Sequence, residues 1–128
     1  MRLLLDTHIF LWFLSGDRQL SASSRALIID PHNDVFLSVV SVWETAIKHQ
    51  LGKLPLPEPP GIFMPRERHA QRIETLLVDE ATIQFLPTLP NFHRDPFDRI
   101  LICQALQHGL TLVTVDAAFA AYPVPLAR

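Results

Sequence analysis

Cysteine and glycine are scarce in this sequence, and each shortage excludes a class of site. Among the 128 residues Cys103 is the only cysteine, so no internal disulfide can form. It lies in the apolar run RILICQAL, where a small buried hydrophobic side chain is expected. The six histidines are scattered and show no zinc-ligand spacing. Only four glycines are present, and none belongs to a glycine-rich phosphate loop.

Basic residues are not in excess, which argues against a protein that binds nucleic acid by its overall charge. Eleven Lys and Arg side chains stand against thirteen Asp and Glu side chains, for a formal net charge of −2. All the basic residues except Lys48 and Lys53 are arginines, whose planar fork suits phosphate. The composition therefore still allows a local basic surface.

Long apolar runs are missing as well. The run at residues 9–14 is too short to cross a membrane, and the opening MRLLLD meets an acid after three leucines, unlike a signal peptide. We therefore expect a cytoplasmic protein. Hydrophobic residues nonetheless make up 48% of the chain, so a single compact domain over residues 1–128 is expected.

Short apolar runs alternate with helix-like segments along the chain. Strands are predicted at residues 2–6, 35–39 and 110–116, with a further short strand within TIQFLPTLP (82–90). Helices are predicted at residues 7–16, 21–30, 41–53, 66–77 and 95–109. The proline-rich segment at 54–65 is expected to be an extended connection. This alternation predicts an α/β domain with a mostly parallel central sheet.

Four acidic residues are predicted to meet at one edge of this sheet. Ligands of open parallel sheets bind beyond the carboxyl ends of the strands. Two of the acids end predicted strands, and the other two fall in the first turns of the helices that follow strands. The four residues are Asp6, Glu44, Asp98 and Asp116.

Some of these acids also have an ordinary structural explanation. Glu44 fits a capping box with Ser41 at the start of its helix. Asp95 precedes Pro96 and suits the N-cap of the next helix, where Asp98 complements the helix dipole. For these residues capping and a role in a functional site both stay open.

Asp6 and Asp116 are harder to explain by capping alone. Each follows an apolar strand, so its carboxylate is expected to be partly buried and to need a cation or hydrogen-bond donors. Clustered carboxylates repel one another unless a cation joins them, and oxygen ligands favour Mg²⁺ or Mn²⁺. No G-x-S-x-G turn supports a serine nucleophile. The remaining chemistry is a metal-activated water that attacks a phosphodiester.

Four segments in this order and spacing carry a family resemblance: LLLDTHIFLW, SVWETAIKHQLGKLPLP, HRDPFDRILICQA and LTLVTVDAAFAAY. The chain resembles PIN-domain proteins, and within them the VapC-type toxins of bacterial toxin–antitoxin pairs. The resemblance implies a three-layer α/β/α fold and a Mg²⁺- or Mn²⁺-dependent endoribonuclease that leaves a 5′-phosphate and a 3′-hydroxyl. It also implies a homodimer and inhibition by a small VapB-type antitoxin.

The resemblance also assigns roles to individual residues. The family's catalytic and metal-binding acids correspond to Asp6, Glu44, Asp98 and Asp116, which are the acids identified above. Asp95 is implied as an accessory acid, and Thr7 and Thr114 match polar positions beside the metal.

Arginines and aromatic residues give further candidates. Arg99 and Arg94 adjoin the acids and are candidates to contact phosphate or to hold the acids, while Arg68 and Arg72 are placed on one face of a predicted helix. Arg68 and Arg72 are candidates to line an RNA-facing groove, although an ordinary solvated helix face is the simpler explanation for both. An aromatic stretch near the start is either core or a surface that binds the antitoxin or a second copy; its members are Phe10, Trp12 and Phe13.

Two other functions compete with a nuclease. The first is a phosphatase with an aspartyl nucleophile at Asp6, but that chemistry usually needs a second aspartate two residues later, where His8 stands. The second is a PIN-like module that regulates through protein contacts without cleaving RNA. The complete set of acids favours the nuclease over both.

Overall fold

The computed structural model describes residues 1–91 and 95–128, and its centre is one parallel sheet. The strands run in the order β3-β2-β1-β4-β5, and each neighbouring pair is parallel. They are β1 (Arg2–Leu5), β2 (Asp34–Ser38), β3 (Glu74–Leu76), β4 (Thr111–Val113) and β5 (Leu126–Ala127). The predicted α/β class with a mostly parallel sheet is confirmed.

Helices connect and cover the strands. They are α1 (Thr7–Ser15), α2 (Ala22–Ile29), α3 (Val39–Gln50), α4 (Pro60–Ala70), α5 (Glu80–Ile83) and α6 (Pro96–His108). Short 3₁₀ segments add Leu86–Thr88 and Ala117–Ala121. No helix in the two described ranges is long and apolar enough to span a membrane.

The alternation of side chains along β1 explains the layers. Leu3 and Leu5 are fully buried in one core with residues of α1, α2 and α4, whereas Leu4 is fully buried in a second core with residues of α6. Successive strand side chains point to opposite faces, so each face of the sheet needs its own helical cover. The predicted three-layer α/β/α arrangement is therefore confirmed.

Capping chemistry fixes several helix ends where the sequence predicts them. The Asp95 carboxylate accepts from the Phe97 amide over 2.9 Å, Pro96 occupies the first position of α6, and Gly109 ends it with φ 65°. Proline at the first position and glycine just past the end are the residues that these positions favour. The predicted bounds of this helix are confirmed.

The start of α3 differs from the prediction. Its N-cap is Ser38, whose hydroxyl accepts from the Val40 amide over 3.0 Å, so the helix begins directly after β2. Ser41 therefore lies inside the helix, and the predicted capping box between Ser41 and Glu44 is wrong. The carboxylate of Glu44 is left available for other contacts.

The third strand also lies elsewhere than predicted. A capping box between Asp79 and Thr82 starts α5, so the segment 82–90 is helical rather than extended. The strand is Glu74–Leu76, at the end of the predicted helix 66–77, which stops because Arg72 adopts a left-handed conformation with φ 58°. The proline-rich segment likewise becomes helical from Pro60, so an entirely extended connection is wrong.

The strand order creates a crevice at one edge of the sheet. From β1 the chain reaches β2 and β3 on one side, and later returns to place β4 and β5 on the other side. Such a switch between neighbouring strands opens a crevice at their carboxyl ends, where ligands of α/β proteins bind. In this chain the crevice lies beyond Leu5 and Val113, which are register partners.

Candidate active site

Asp6 occupies this crevice and is tied to both strands. Its backbone amide donates to the carbonyl of Val113 over 3.0 Å. Oδ1 of its carboxylate accepts from the Thr7 amide, and Oδ2 accepts from the Thr114 hydroxyl, both over 2.8 Å. The Asp116 amide in turn donates to the Thr114 hydroxyl oxygen over 3.0 Å. Thr114 therefore links Asp6 to the turn that carries Asp116.

Asp98 reaches the same site from the first turn of α6. It is 8% exposed, whereas Asp95 at the N-cap is partly exposed and receives the backbone amides of Phe97 and Asp98. The Asp95 cap sets where the helix starts. The first turn of the helix then directs the side chain of Asp98, three positions after the cap, into the crevice. Capping and placement of an acid in the site are therefore compatible in this segment.

Glu44 enters from α3 and has both carboxylate oxygens engaged. The Thr7 hydroxyl lies 2.8 Å from Oε1 of Glu44 and 2.8 Å from Oγ of Ser41. A hydroxyl carries one proton and an ionised carboxylate only accepts, so Thr7 donates to Glu44 and the Ser41 contact uses the Ser41 proton. Oε2 of Glu44 accepts from the Lys48 ammonium over 2.7 Å.

These acids line one cavity of about 320 Å³. His8, Trp12 and Lys48 also contribute to its wall. The five carboxylates are those of Asp6, Glu44, Asp95, Asp98 and Asp116. All four acids that were predicted to meet at this edge of the sheet are therefore brought together, and the accessory acid joins them.

The electrostatics of the cavity resist full ionisation. Burial, and to a smaller extent the neighbouring carboxylates, together raise the pKa of the Asp98 carboxyl to about 8. The neighbours are, in order of decreasing effect, Asp6, Asp95, Glu44 and Asp116. Burial also raises the pKa of Asp6, against the opposing effect of its hydrogen bonds from Thr114 and Thr7.

The donor set fits a hard divalent cation. Every acidic group in the cavity offers carboxylate oxygens, which are the ligands that Mg²⁺ and Mn²⁺ prefer. Within residues 1–91 and 95–128, however, no three His, Cys, Asp or Glu side chains already stand as a group able to hold an ion. Carboxylates that repel one another are expected to lie apart until a cation draws them together. The residues that could hold an ion once it draws them together, directly or through water, are Asp6, Asp98 and Asp116.

Not every predicted residue joins the site. Arg99 is turned away, because its guanidinium donates to the carbonyl of Pro90 over 2.9 Å and approaches the Tyr122 hydroxyl at 3.4 Å. Arg99 does not line the cavity, and its accessory role beside the acids stays a prediction. Arg94 lies outside the described residues.

Arg68 and Arg72 lie at the opposite edge of the sheet from the acids. Both precede the start of β3, whereas the acids follow the carboxyl ends of the strands. The guanidinium of Arg68 donates to the carbonyl of Ile73 over 2.7 Å, and Arg72 lies outside α4. The predicted shared helix face is therefore wrong, and neither residue adjoins the cavity.

The aromatic candidates divide between core and surface. Phe10 is 0% exposed and Phe13 is 8% exposed, so both pack in the core beside α2 and α4, and a partner-binding role for them is wrong. Trp12 is partly exposed and contacts the His8 ring, with 5.9 Å between the centroids. Trp43, on α3, is 61% exposed.

Two side chains that contribute to the site were not among the predicted residues. Ser41 was assigned to a cap but contacts Thr7, and Lys48 was not considered at all. The signal for Lys48 was present, because a glutamate followed four positions later by a lysine places both on the same face of a helix. The position of Ser41 inside α3 follows from the end of β2 at Ser38, and no sequence pattern predicts that boundary.

We predict that Asp98→Asn stabilises the metal-free protein at alkaline pH. A carboxyl whose pKa is raised in the folded state binds its proton more tightly there than in the unfolded chain. Stability is therefore lost as pH rises from about 4 toward about 8. The uncharged amide removes this loss, so its advantage in free energy of unfolding should be about 1–3 kcal/mol at pH 9 and should shrink toward pH 4.

Urea unfolding of both proteins in chelator across this pH range provides the measurement. Glu74→Gln, an exposed acid at the opposite edge of the sheet, serves as the control and should show no such trend. Equal stability of Asp98→Asn and the unaltered chain at every pH would contradict the electrostatic account.

Comparison with known proteins places this geometry in a family. Residues 3–125 match the family described as PIN domain. The chain is 28% identical over 115 residues to ribonuclease VapC22 of Mycobacterium tuberculosis, which covers 88% of this chain and 85% of that protein. A stretch of 58 residues is 41% identical to ribonuclease VapC16 of the same bacterium, and spans 45% of this chain but only 41% of that relative.

Solved structures share the fold at low sequence identity. The VapBC2 complex of Rickettsia felis, bound to a promoter DNA fragment, superposes with a TM-score of 0.74 at 16% identity, covering 99% of this chain and 98% of that chain. VapBC-1 from nontypeable Haemophilus influenzae gives a TM-score of 0.68 at 17% identity, covering 99% and 97%. With the family match extending over almost all of its residues and this fold around the acids, the chain belongs to the PIN-domain family.

Proposed function

We propose that this protein is a metal-dependent endoribonuclease that acts as the toxin of a toxin–antitoxin pair. The observation that carries the proposal is the cavity at the carboxyl edge of the sheet, where five carboxylates from distant parts of the chain line one space. The names of the two mycobacterial relatives, both ribonucleases of the VapC type, support the reaction class. The toxin–antitoxin assignment is supported by the VapBC complexes that share the fold.

The position of each residue in the cavity suggests a separate role in the proposed reaction. Asp6, Asp98 and Asp116 would hold Mg²⁺ or Mn²⁺, directly or through water, and Glu44 helps to orient the site. An ion held by these residues would lower the pKa of water, so that hydroxide is available as the nucleophile, and would offset charge on the phosphate. Thr7 and Thr114 keep the Glu44 and Asp6 carboxylates in place by donating hydrogen bonds. Hydrolysis then leaves a 5′-phosphate and a 3′-hydroxyl.

We expect Asp116→Asn to lower RNA cleavage at least about 100-fold with Mg²⁺ or Mn²⁺. Asp116 is exposed and its Oδ1 accepts from the Ala118 amide over 2.9 Å, a bond that an asparagine oxygen can also make. The variant should therefore fold normally while losing a charge from the cavity. Gel analysis of a broad RNA panel, with and without added metal, measures the effect.

The control for this experiment is Glu74→Gln, which removes an exposed acid far from the cavity and should leave cleavage unchanged. A chain that leaves every RNA intact with either metal would defeat the nuclease proposal. Cleavage at an unaltered rate by Asp116→Asn would remove that residue from the site.

The proposed antitoxin contact is centred on Trp12. A second cavity of about 490 Å³ adjoins the acid cavity, and His8 and Trp12 line both. Its other walls are largely apolar and include Leu11, Leu56 and Phe63. A partner that fills this groove would reach the mouth of the acid cavity, which suits an inhibitor.

Trp12→Ala should weaken binding of the cognate antitoxin by about 2 kcal/mol, because buried tryptophans at interfaces contribute strongly to affinity. Calorimetric titration with the antitoxin encoded beside this gene provides the measurement. Ile29→Ala truncates an apolar residue that is 63% exposed and lies away from the groove, so its affinity should be unaltered. Full affinity in Trp12→Ala would exclude Trp12 from the interface.

The proposed homodimer is supported by an apolar surface around Trp43. The side chains that line this surface with Trp43 are Val39, Val40, Val78, Ile83 and Ile100. Within residues 1–91 and 95–128 no polar side chain takes part in the lining. The Trp43 ring also packs edge-on against Phe97, with 5.0 Å between centroids. A patch without charges is complementary to a second copy of itself, which is what a two-fold interface requires.

Trp43→Asp should convert the dimer to a monomer, because a carboxylate buried between two apolar surfaces is strongly unfavourable. Sedimentation velocity at micromolar concentration separates the two species. Ile29→Asp adds the same charge at an equally exposed position outside the patch and should leave the dimer intact. A Trp43→Asp protein that still sediments as a dimer would place the interface elsewhere.

A further inference from the structure

Lys48 stands at the opening of the acid cavity, one helical turn after Glu44. Its ammonium is 2.7 Å from Oε2 of Glu44, and its side chain is 37% exposed while that of Glu44 is 5% exposed. The carboxylate is thus inside the wall of the cavity, and the ammonium is at its mouth, in contact with solvent.

The position of this ammonium is fixed more firmly than that of an ordinary surface lysine. An exposed ion pair is weak because both side chains are free to move. Here the acceptor is buried, and its other oxygen is held by the Thr7 hydroxyl, which also contacts Ser41. A chain of contacts therefore runs from Ser41 through Thr7 and Glu44 to Lys48.

The ammonium keeps hydrogen-bonding capacity for a ligand. It has three N–H donors, and Oε2 of Glu44 accepts from one of them. The other two are available at a group that is partly exposed and lines the cavity. Glu44 thus holds the cation in place without using all of its donors.

The many acids of the cavity give the Lys48 ammonium a specific role in binding a phosphate. Of the described side chains that line the cavity, Lys48 is the only lysine or arginine, against five acidic side chains. The ionised acids repel an approaching phosphate, which is itself an anion. A fixed cation at the mouth of the cavity reduces this electrostatic repulsion at the point where the phosphate enters.

We propose that Lys48 binds a backbone phosphate of the RNA, and that Glu44 is the residue that positions it. This inference rests on the proposed ribonuclease function and adds to it the group that contacts substrate. The competing explanation is that Lys48 only neutralises Glu44 and never meets RNA.

The salt dependence of RNA binding separates the two explanations. Each phosphate contact to single-stranded RNA contributes about 0.7 to the slope of log affinity against log salt. We compare Lys48→Met and Lys48→Arg in the Asp116→Asn background, with Mg²⁺ present and a single-stranded RNA that the unaltered protein cleaves. Lys48→Met should reduce the slope by about 0.7 and the affinity about tenfold at low salt, whereas Lys48→Arg should retain both.

Two controls sharpen the comparison. Lys53→Met removes the other lysine, which is exposed and does not line the cavity, and should leave the slope unchanged. Lys48→Met is also measured with Glu44→Gln, whose side-chain oxygen can still accept from the ammonium and so position it, but which has no charge to be neutralised. The slope should still fall on loss of Lys48 if the ammonium contacts phosphate.

An unchanged slope in Lys48→Met would overturn the proposal, as would an effect that disappears in the Glu44→Gln background. Circular dichroism establishes that each variant is folded. Failure of the unaltered chain to bind or cleave any RNA would instead overturn the ribonuclease function, and the Lys48 contact with it. Normal cleavage with an unchanged slope would overturn the Lys48 contact alone.

Discussion

The hydrogen bond from Thr114 to the buried carboxylate of Asp6 is the contact on which the rest of the site depends. It joins the ends of β1 and β4, the two strands between which the chain changes direction across the sheet. Through the same hydroxyl oxygen the turn carrying Asp116 is tied down. A single threonine thereby fixes two acids that are separated by most of the chain, and the cavity is built around them.

Burying these acids lowers the stability of the fold for the sake of the site. The apolar strands place Asp6 and Asp98 where water is largely excluded, and burial disfavours their charged forms. A more stable domain would carry neutral residues at these positions. A divalent cation would offset their repulsion, and the all-carboxylate donor set is the observation that supports the proposed metal ion.

The sequence predicts the acids well because their positions follow from simple local rules. Asp6 and Asp116 come after apolar strands, and the Asp95-Pro96 pair with Gly109 bounds α6, so neither conclusion depends on distant contacts. The third strand is different. Its three residues continue an amphipathic pattern, and only the left-handed turn at Arg72 and pairing with β2 make it extended.

Arg99 and Ser41 illustrate a second limit. Adjacency in sequence suggested that Arg99 serves the acids, but side chains of neighbouring helical residues point in different directions, and this guanidinium meets Pro90 instead. Ser41 fits a capping pattern, yet Ser38 caps the helix because β2 ends there. In both cases the deciding feature, the Pro90 carbonyl for Arg99 and the end of β2 at Ser38 for Ser41, depends on the tertiary structure. The local sequence pattern does not predict it.

Three of the acids also serve as helix caps, and this has a consequence for how the protein is assembled. Asp6, Asp95 and Asp116 each accept a backbone amide at the start of a helical segment, independently of any ion. Zinc-finger domains, by contrast, obtain their folding energy from the metal and unfold without it. Here three capping bonds come from backbone amides of the chain itself, so under the proposed function we expect removal of the ion to end cleavage while the protein stays folded.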